Sequence, residues 1–265
     1  MQLQLLLGIY AAVLGLIVGS YLNVVIYRLP RGISTVLPRS RCPGCGAPIR
    51  ARDNVPVLSF LLLGGRCRSC GARISWRYPL IEAATAALFV ASLLRFGITF
   101  AAPAGALFAA LMLVLAAIDI DCMILPDAIT WPAILLGILL QPFLPWARLW
   151  DGPWGAVAGS AFGALLGAGI LLAVWGGWYL LRHEEGMGLG DVKMLAAIGA
   201  FLGWKGVLVA LFFAALSGAT VGLALMAWGE YGAKSKLPFG AFLALGGLVA
   251  LFAGEPLVRA YARLL

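Results

Sequence analysis

Eight runs of nearly unbroken apolar residues organise this sequence, at 5–27, 79–96, 101–118, 128–144, 154–180, 191–204, 206–228 and 238–255. Most reach or approach the ~17–25 residues that an α-helix needs to cross a bilayer. They are continuous, without the alternation of a lipid-facing strand, which excludes a β-barrel. The pattern predicts an all-α polytopic membrane protein of about eight transmembrane helices. The sixth run is the weakest, since only Trp204, Lys205 and Gly206 mark the step to the seventh. The first run lacks a preceding basic segment and outlasts the apolar core of a secretory signal, so it reads as a retained helix.

One long polar stretch interrupts the pattern. Three parts follow: a first transmembrane helix at 1–27, a loop module at 28–78, and a helical bundle at 79–265. No tandem repeat or low-complexity tract is evident.

Composition agrees with lipid as the main solvent: 63% of the 265 residues are hydrophobic, 11% are charged, and mean hydropathy is +1.00. The 34 glycines suit close helix packing. A net charge of +8 could signal nucleic acid, but ten of the 19 basic residues fall between Arg28 and Arg77. That clustering marks a cytoplasmic loop and membrane lipid as the partner, not nucleic acid. With this loop inside, both termini lie outside. Arg182, Lys193, Lys234 and Lys236 then share the loop's side with Asp119, Asp121, Asp127 and Asp191.

The loop module contains Cys42-Pro-Gly-Cys45 and Cys67-Arg-Ser-Cys70. Two C-x-x-C knuckles offer four thiolates for a tetrahedral Zn²⁺, with glycines 44, 46 and 71 easing the turns. A reducing compartment disfavours disulfides, and a segment this short gains from a metal the folding energy it lacks in core. Four cysteine ligands leave no open position, so the metal is structural. Redox thiols, iron or no metal are the alternatives. Cys122, the fifth cysteine, reads as a small apolar side chain at a helix end.

Of 11 acidic residues, Asp119, Asp121 and Asp127 gather in AIDIDCMILPD, where one apolar run gives way to the next. Pro126 ends the earlier helix pattern and offers Asp127 as an N-cap. Asp191 follows the glycines at 186, 188 and 190 in EGMGLGDVK, at the start of another run. Carboxylates at a membrane edge are expensive and face a cavity, the bundle interior or the headgroups. Three readings stay open on the residues alone: aspartyl peptide hydrolysis by a carboxylate pair, proton- or ion-coupled transport, and capping or packing. His183 is the single histidine, which leaves a serine–histidine triad little to build on.

Taken together, these pieces resemble the prepilin leader peptidase/N-methyltransferase family. The matching segments are GSYLNVVIYRLP (19–30), SRCPGC (40–45), NVPVLS (54–59), GRCRSC (65–70), ISWRYPLIE (74–82), the stretch from Asp119 to Asp127, and GMGLGDVK (186–193). They occur in family order over nearly the whole chain. The resemblance implies a multi-pass enzyme of the bacterial inner membrane that cuts basic leaders from prepilins or pseudopilins, after glycine, on the cytoplasmic side. It further implies methylation of the new N-terminus with S-adenosylmethionine, and the complete four-cysteine loop resembles the bifunctional members. By residue match, Asp119 and Asp191 are the catalytic pair, Asp121 and Asp127 are supporting groups, and Glu82 either pairs with an arginine or contributes to recognition of the substrate amine or to methyl transfer. No strand–glycine–helix unit for S-adenosylmethionine is visible in the sequence.

Overall fold

The computed structural model describes residues 2–183, 188–228 and 237–263. Its regular structure is helical: α1 (Gln2–Arg28), α2 (Leu58–Leu62), α3 (Arg77–Phe96), α4 (Ala101–Cys122), α5 (Asp127–Leu140), α6 (Pro153–Arg182), α7 (Leu189–Ala227) and α8 (Phe239–Ala262). Glu185, Gly186, Lys234 and Lys236, which entered the sequence reading, lie outside the described residues. The chain forms two compact units, one running through Val114 and the other from Leu115 onward.

Among the described residues, six helices are long and apolar enough to cross a membrane: α1, α3, α4, α6, α7 and α8. The difference from eight predicted spans arises at two places. α5 has 14 residues, ~21 Å of helix, short of a ~30 Å hydrocarbon core. The runs at 191–204 and 206–228 join in α7, whose 39 residues would extend ~58 Å, about twice that thickness. A break at Gly203 (φ 69°, ψ −175°) divides α7 close to the predicted step. Glycine tolerates that backbone conformation, and a Cβ there would also sit 2.9 Å from the Cβ of Ala147.

Side chains cover carbonyls near the break. Gln141 Nε2 donates to the carbonyls of Ala200 and Phe201, and Ser160 Oγ donates to Ala200 at 2.6 Å. Both side chains are fully buried, where an unmet carbonyl would cost about 1–3 kcal/mol.

Glycine spacing sets the packing inside each unit. On α6, Gly155, Gly159, Gly163 and Gly167 recur every fourth residue and so form one face. A Cβ at Gly159 would lie 1.5 Å from the Ala147 carbonyl oxygen, and one at Gly163 would lie 2.4 Å from that of Gly199. Backbone therefore touches backbone, the contact that small-xxx-small spacing allows. In the first unit α1 meets α3 the same way, since a Cβ at Gly15 would lie 2.5 Å from the Cα of Ala86.

Candidate active site and metal centre

Asp119 belongs to the last turn of α4, inside the helix and not in the break where the sequence pattern set it. Met123 (φ 53°) then turns the chain through Pro126 into α5. Asp119 is 5% exposed, and its Oδ2 accepts the backbone N–H of Ala241 at 3.0 Å, in the first turn of α8. Unsatisfied N–H groups and the positive end of the helix dipole make that turn a natural seat for a carboxylate. The approach requires glycine at 240, because a Cβ there would lie 2.9 Å from the same oxygen.

Asp191 is the third residue of α7, with Gly188 rather than Asp191 as the N-cap. It is 8% exposed and lies within electrostatic reach of Asp119. Leu125 links the two positions: a Cβ at Gly190 would be 2.9 Å from Leu125 Cβ, and one at Gly240 would be 3.0 Å from Leu125 Cδ1. The fold thus gathers residues from α4, α7 and α8 around one apolar side chain. Two buried carboxylates at neighbouring helix ends can together hold and pass a proton.

The other acidic residues divide. Asp127 is the first residue of α5, after Pro126 as N-cap, and forms an ion pair with Lys193 of α7. The predicted capping role gives way to a tie between two helix starts. Asp121 is exposed. Among the described residues Glu82 has no arginine partner; its Oε2 accepts the backbone N–H of Val57 at 2.7 Å, and the Ser20 hydroxyl also meets the carboxylate. Cys122 lies half-buried beside Asp121. His183 ends α6 in a left-handed conformation, its N–H donating to the Tyr179 carbonyl.

In the first unit the sulfurs of Cys42, Cys45, Cys67 and Cys70 lie within 4.8 Å of one another. The Cys42–Cys70 separation is 3.8 Å, close to the ~3.8 Å edge of a tetrahedron with Zn–S bonds of ~2.3 Å. The cluster therefore fits a metal such as zinc. The backbone N–H groups of Cys70 and Ser69 point at the Cys67 sulfur and bring its thiol down to about 7, favouring the thiolate that a metal binds.

The two knuckles repeat one another. RCPGCGAPI (41–49) and RCRSCGARI (66–74) share six of nine residues. Cys42 N–H donates to the Ala47 carbonyl at 2.9 Å and Cys67 N–H to that of Ala72 at 2.8 Å. Gly46 N–H returns to Cys42 and Gly71 N–H to Cys67, with φ of 71° and 72° at the two glycines. Single β-bridges close both, Arg41 with Pro48 and Arg66 with Arg73. The 25-residue offset was legible in the sequence, although a repeat this short falls below the 20–50-residue units by which arrays are recognised. Gly240 carried no comparable local signal.

Two family models match this chain. Residues 13–96 match the Bacterial Peptidase A24 N-terminal domain, and residues 106–223 match the Type IV leader peptidase family. A prepilin leader peptidase/N-methyltransferase of Burkholderia pseudomallei (strain 1026b) is 40% identical, over 93% of this chain and 85% of the relative. Proteins of the same name from Stutzerimonas stutzeri and Pseudomonas aeruginosa are each 36% identical, over 95% and 94% of this chain and 92% and 91% of their own lengths. No solved structure matches. Similarity of this depth over nearly the full length shows that the chain belongs to the prepilin leader peptidase/N-methyltransferase family.

Proposed function

We propose that this membrane protein is an aspartyl endopeptidase that removes the basic leader of prepilins or pseudopilins, after glycine, and then N-methylates the new terminus with S-adenosylmethionine. The convergence of buried Asp119 and Asp191 around Leu125 supports the peptidase reading. Family membership supports both activities and leaves the transport alternative without support. The clustering of basic residues between Arg28 and Arg77 supports an inner-membrane protein whose carboxylates face the cytoplasm.

In this mechanism one ionised aspartate takes a proton from water as the water attacks the scissile carbonyl, and the protonated partner donates to the carbonyl oxygen. The proton then passes to the leaving amine. Main-chain donation from Ala241 fixes the Asp119 carboxylate, so its geometry is set before substrate arrives. Cys42, Cys45, Cys67 and Cys70 would hold a structural Zn²⁺ that organises the loop module. S-adenosylmethionine, when bound, supplies an activated methyl group; the described residues form no strand–glycine–helix unit to hold it.

The test incubates the detergent-purified protein with prepilin-like peptides and S-adenosylmethionine. Mass spectrometry follows leader loss and the gain of one methyl group. Cleavage and methylation by the wild type, with cleavage abolished in Asp119→Asn and Asp191→Asn, is the expected result. Normal turnover by both variants would sink the aspartate assignment.

A further inference from the structure

The contact between α1 and α3 buries polar groups that neither the aspartates nor the cysteines use. Glu82 is 8% exposed and accepts from Val57 and Ser20, yet among the described residues no lysine or arginine forms an ion pair with it. A buried carboxylate without a cation is costly. One turn away across the same contact, Asn23 is 2% exposed. Its Nδ2 donates to the Tyr78 carbonyl at 3.0 Å and to that of Gly19 at 3.3 Å, while its Oδ1 is buried with no partner. Gly19 also lies against Glu82, since a Cβ there would be 2.7 Å from the Glu82 Cα. Tyr78 precedes Glu82 by one turn of α3. The two acceptors therefore share one short strip.

The segment bonded to this strip is strained. Val57 has φ 61° and ψ −50°, a region that branched side chains avoid, and Leu58 N–H reaches back to the Pro56 carbonyl at 2.6 Å in a tight γ-turn. Such a conformation persists only where its surroundings hold it, and Glu82 provides the hold through the Val57 N–H.

An anionic acceptor beside an orphaned neutral one matches a compact ligand that brings positive charge and several donors. A primary ammonium, with three N–H groups on one centre, has those properties. We propose that Glu82 and Asn23 form a binding site for a primary ammonium group, which displaces the Val57 N–H from Glu82 and supplies the donor that Asn23 Oδ1 lacks. This inference rests on the methyltransferase half of the proposed function. Two ligands there carry such a group: the N-terminus freed by leader removal, and the amino-acid end of S-adenosylmethionine.

Full-length protein in detergent would be titrated with a peptide of a mature pilin-like N-terminus, with its N-acetylated counterpart, and with S-adenosylmethionine. Glu82→Gln keeps an oxygen for the Val57 N–H but removes the charge, and Asn23→Ala leaves Glu82 in place. Thermal melting verifies the folding of each variant. Wild-type preference for the free amine over the acetylated peptide, reduced about ten-fold in Glu82→Gln and less in Asn23→Ala, assigns the site to the new N-terminus. A comparable loss confined to S-adenosylmethionine assigns it to the methyl donor. Absence of amine-dependent binding in the wild type, or unchanged affinities in both variants, overturns the proposal. Wild-type protein that binds an ammonium ligand at this strip but neither cleaves nor methylates would count against the proposed function and leave the site standing.

Discussion

The cysteine knuckles and the aspartate site are assembled on different scales. Each knuckle closes its backbone hydrogen bonds within about ten consecutive residues, from Ser40 to Ile49 and from Gly65 to Ile74. Asp119 instead takes its main-chain partner from Ala241, 122 residues further along. One site is held by turns that form locally around their ligands, the other by helices whose glycines let distant backbones meet. A lesion in a knuckle should therefore stay near the knuckle. A lesion in the second unit's packing should reach the chemistry.

The largest expected effect breaks the aspartate site directly. Asp119→Asn or Asp191→Asn should lower cleavage by about 10²–10⁴-fold or more while leaving membrane insertion intact, measured by peptide turnover and by membrane fractionation. Gly240→Ala sharpens the comparison without touching a carboxylate. Its Cβ would press on Asp119 Oδ2, and displacement of a reacting group by about 1 Å can cost ~10²-fold in turnover. Wild-type rates in this variant would show that the α8 contact does not set the aspartate's position. Removal of two thiols, as in a Cys42→Ser/Cys67→Ser double variant, should release zinc and raise hydrogen exchange across residues 40–72, with a smaller fall in cleavage than either aspartate variant. Metal analysis that finds zinc undiminished would exclude the four-thiolate centre.

The smallest effect is electrostatic. Both Nε and Nη2 of Arg68, the residue after Cys67, donate to Asp53 Oδ1, at 2.9 and 2.7 Å. The Arg68 hydrogen bonds hold the Asp53 carboxyl below its ordinary value. The contribution is complete above the unfolded carboxylate value of ~3.9 and fades as pH falls through the lower folded value. Exchange protection of residues 50–70 should thus decline on acidification below about pH 4. Asp53→Asn should flatten that decline, and an unchanged profile would remove the pair from the module's stability.

The same difference in scale explains what could be read from the sequence. Cys42, Cys45, Cys67 and Cys70 were legible because two residues of spacing fix a knuckle, and apolar run length found nearly every long helix. Asp119 and Asp191 were legible as costly charges near span ends, but their meeting depends on where Gly190, Gly240 and Leu125 come together in the fold, which no local pattern specifies. Asp127 looked like a cap because Pro126 precedes it; Lys193, distant in sequence, claims it. Glu82 invited an arginine in a loop rich in them, yet the fold offers it the N–H of a strained Val57. The break in α7 was placed close to its observed position by Trp204, Lys205 and Gly206, whereas its support by Gln141 and Ser160 follows from tertiary packing.

The stripe on α6 has a consequence for making a sturdier enzyme. Gly163 and Gly159 have no room for a methyl group, but Gly169, Gly176 and Gly177 of the same helix have nothing within 4 Å of an added Cβ. Alanine at these open positions should strengthen the helix by up to about 1 kcal/mol each. A small alanine library confined to them offers a route to a longer-lived preparation in detergent, and identical substitutions a few residues earlier would undo it.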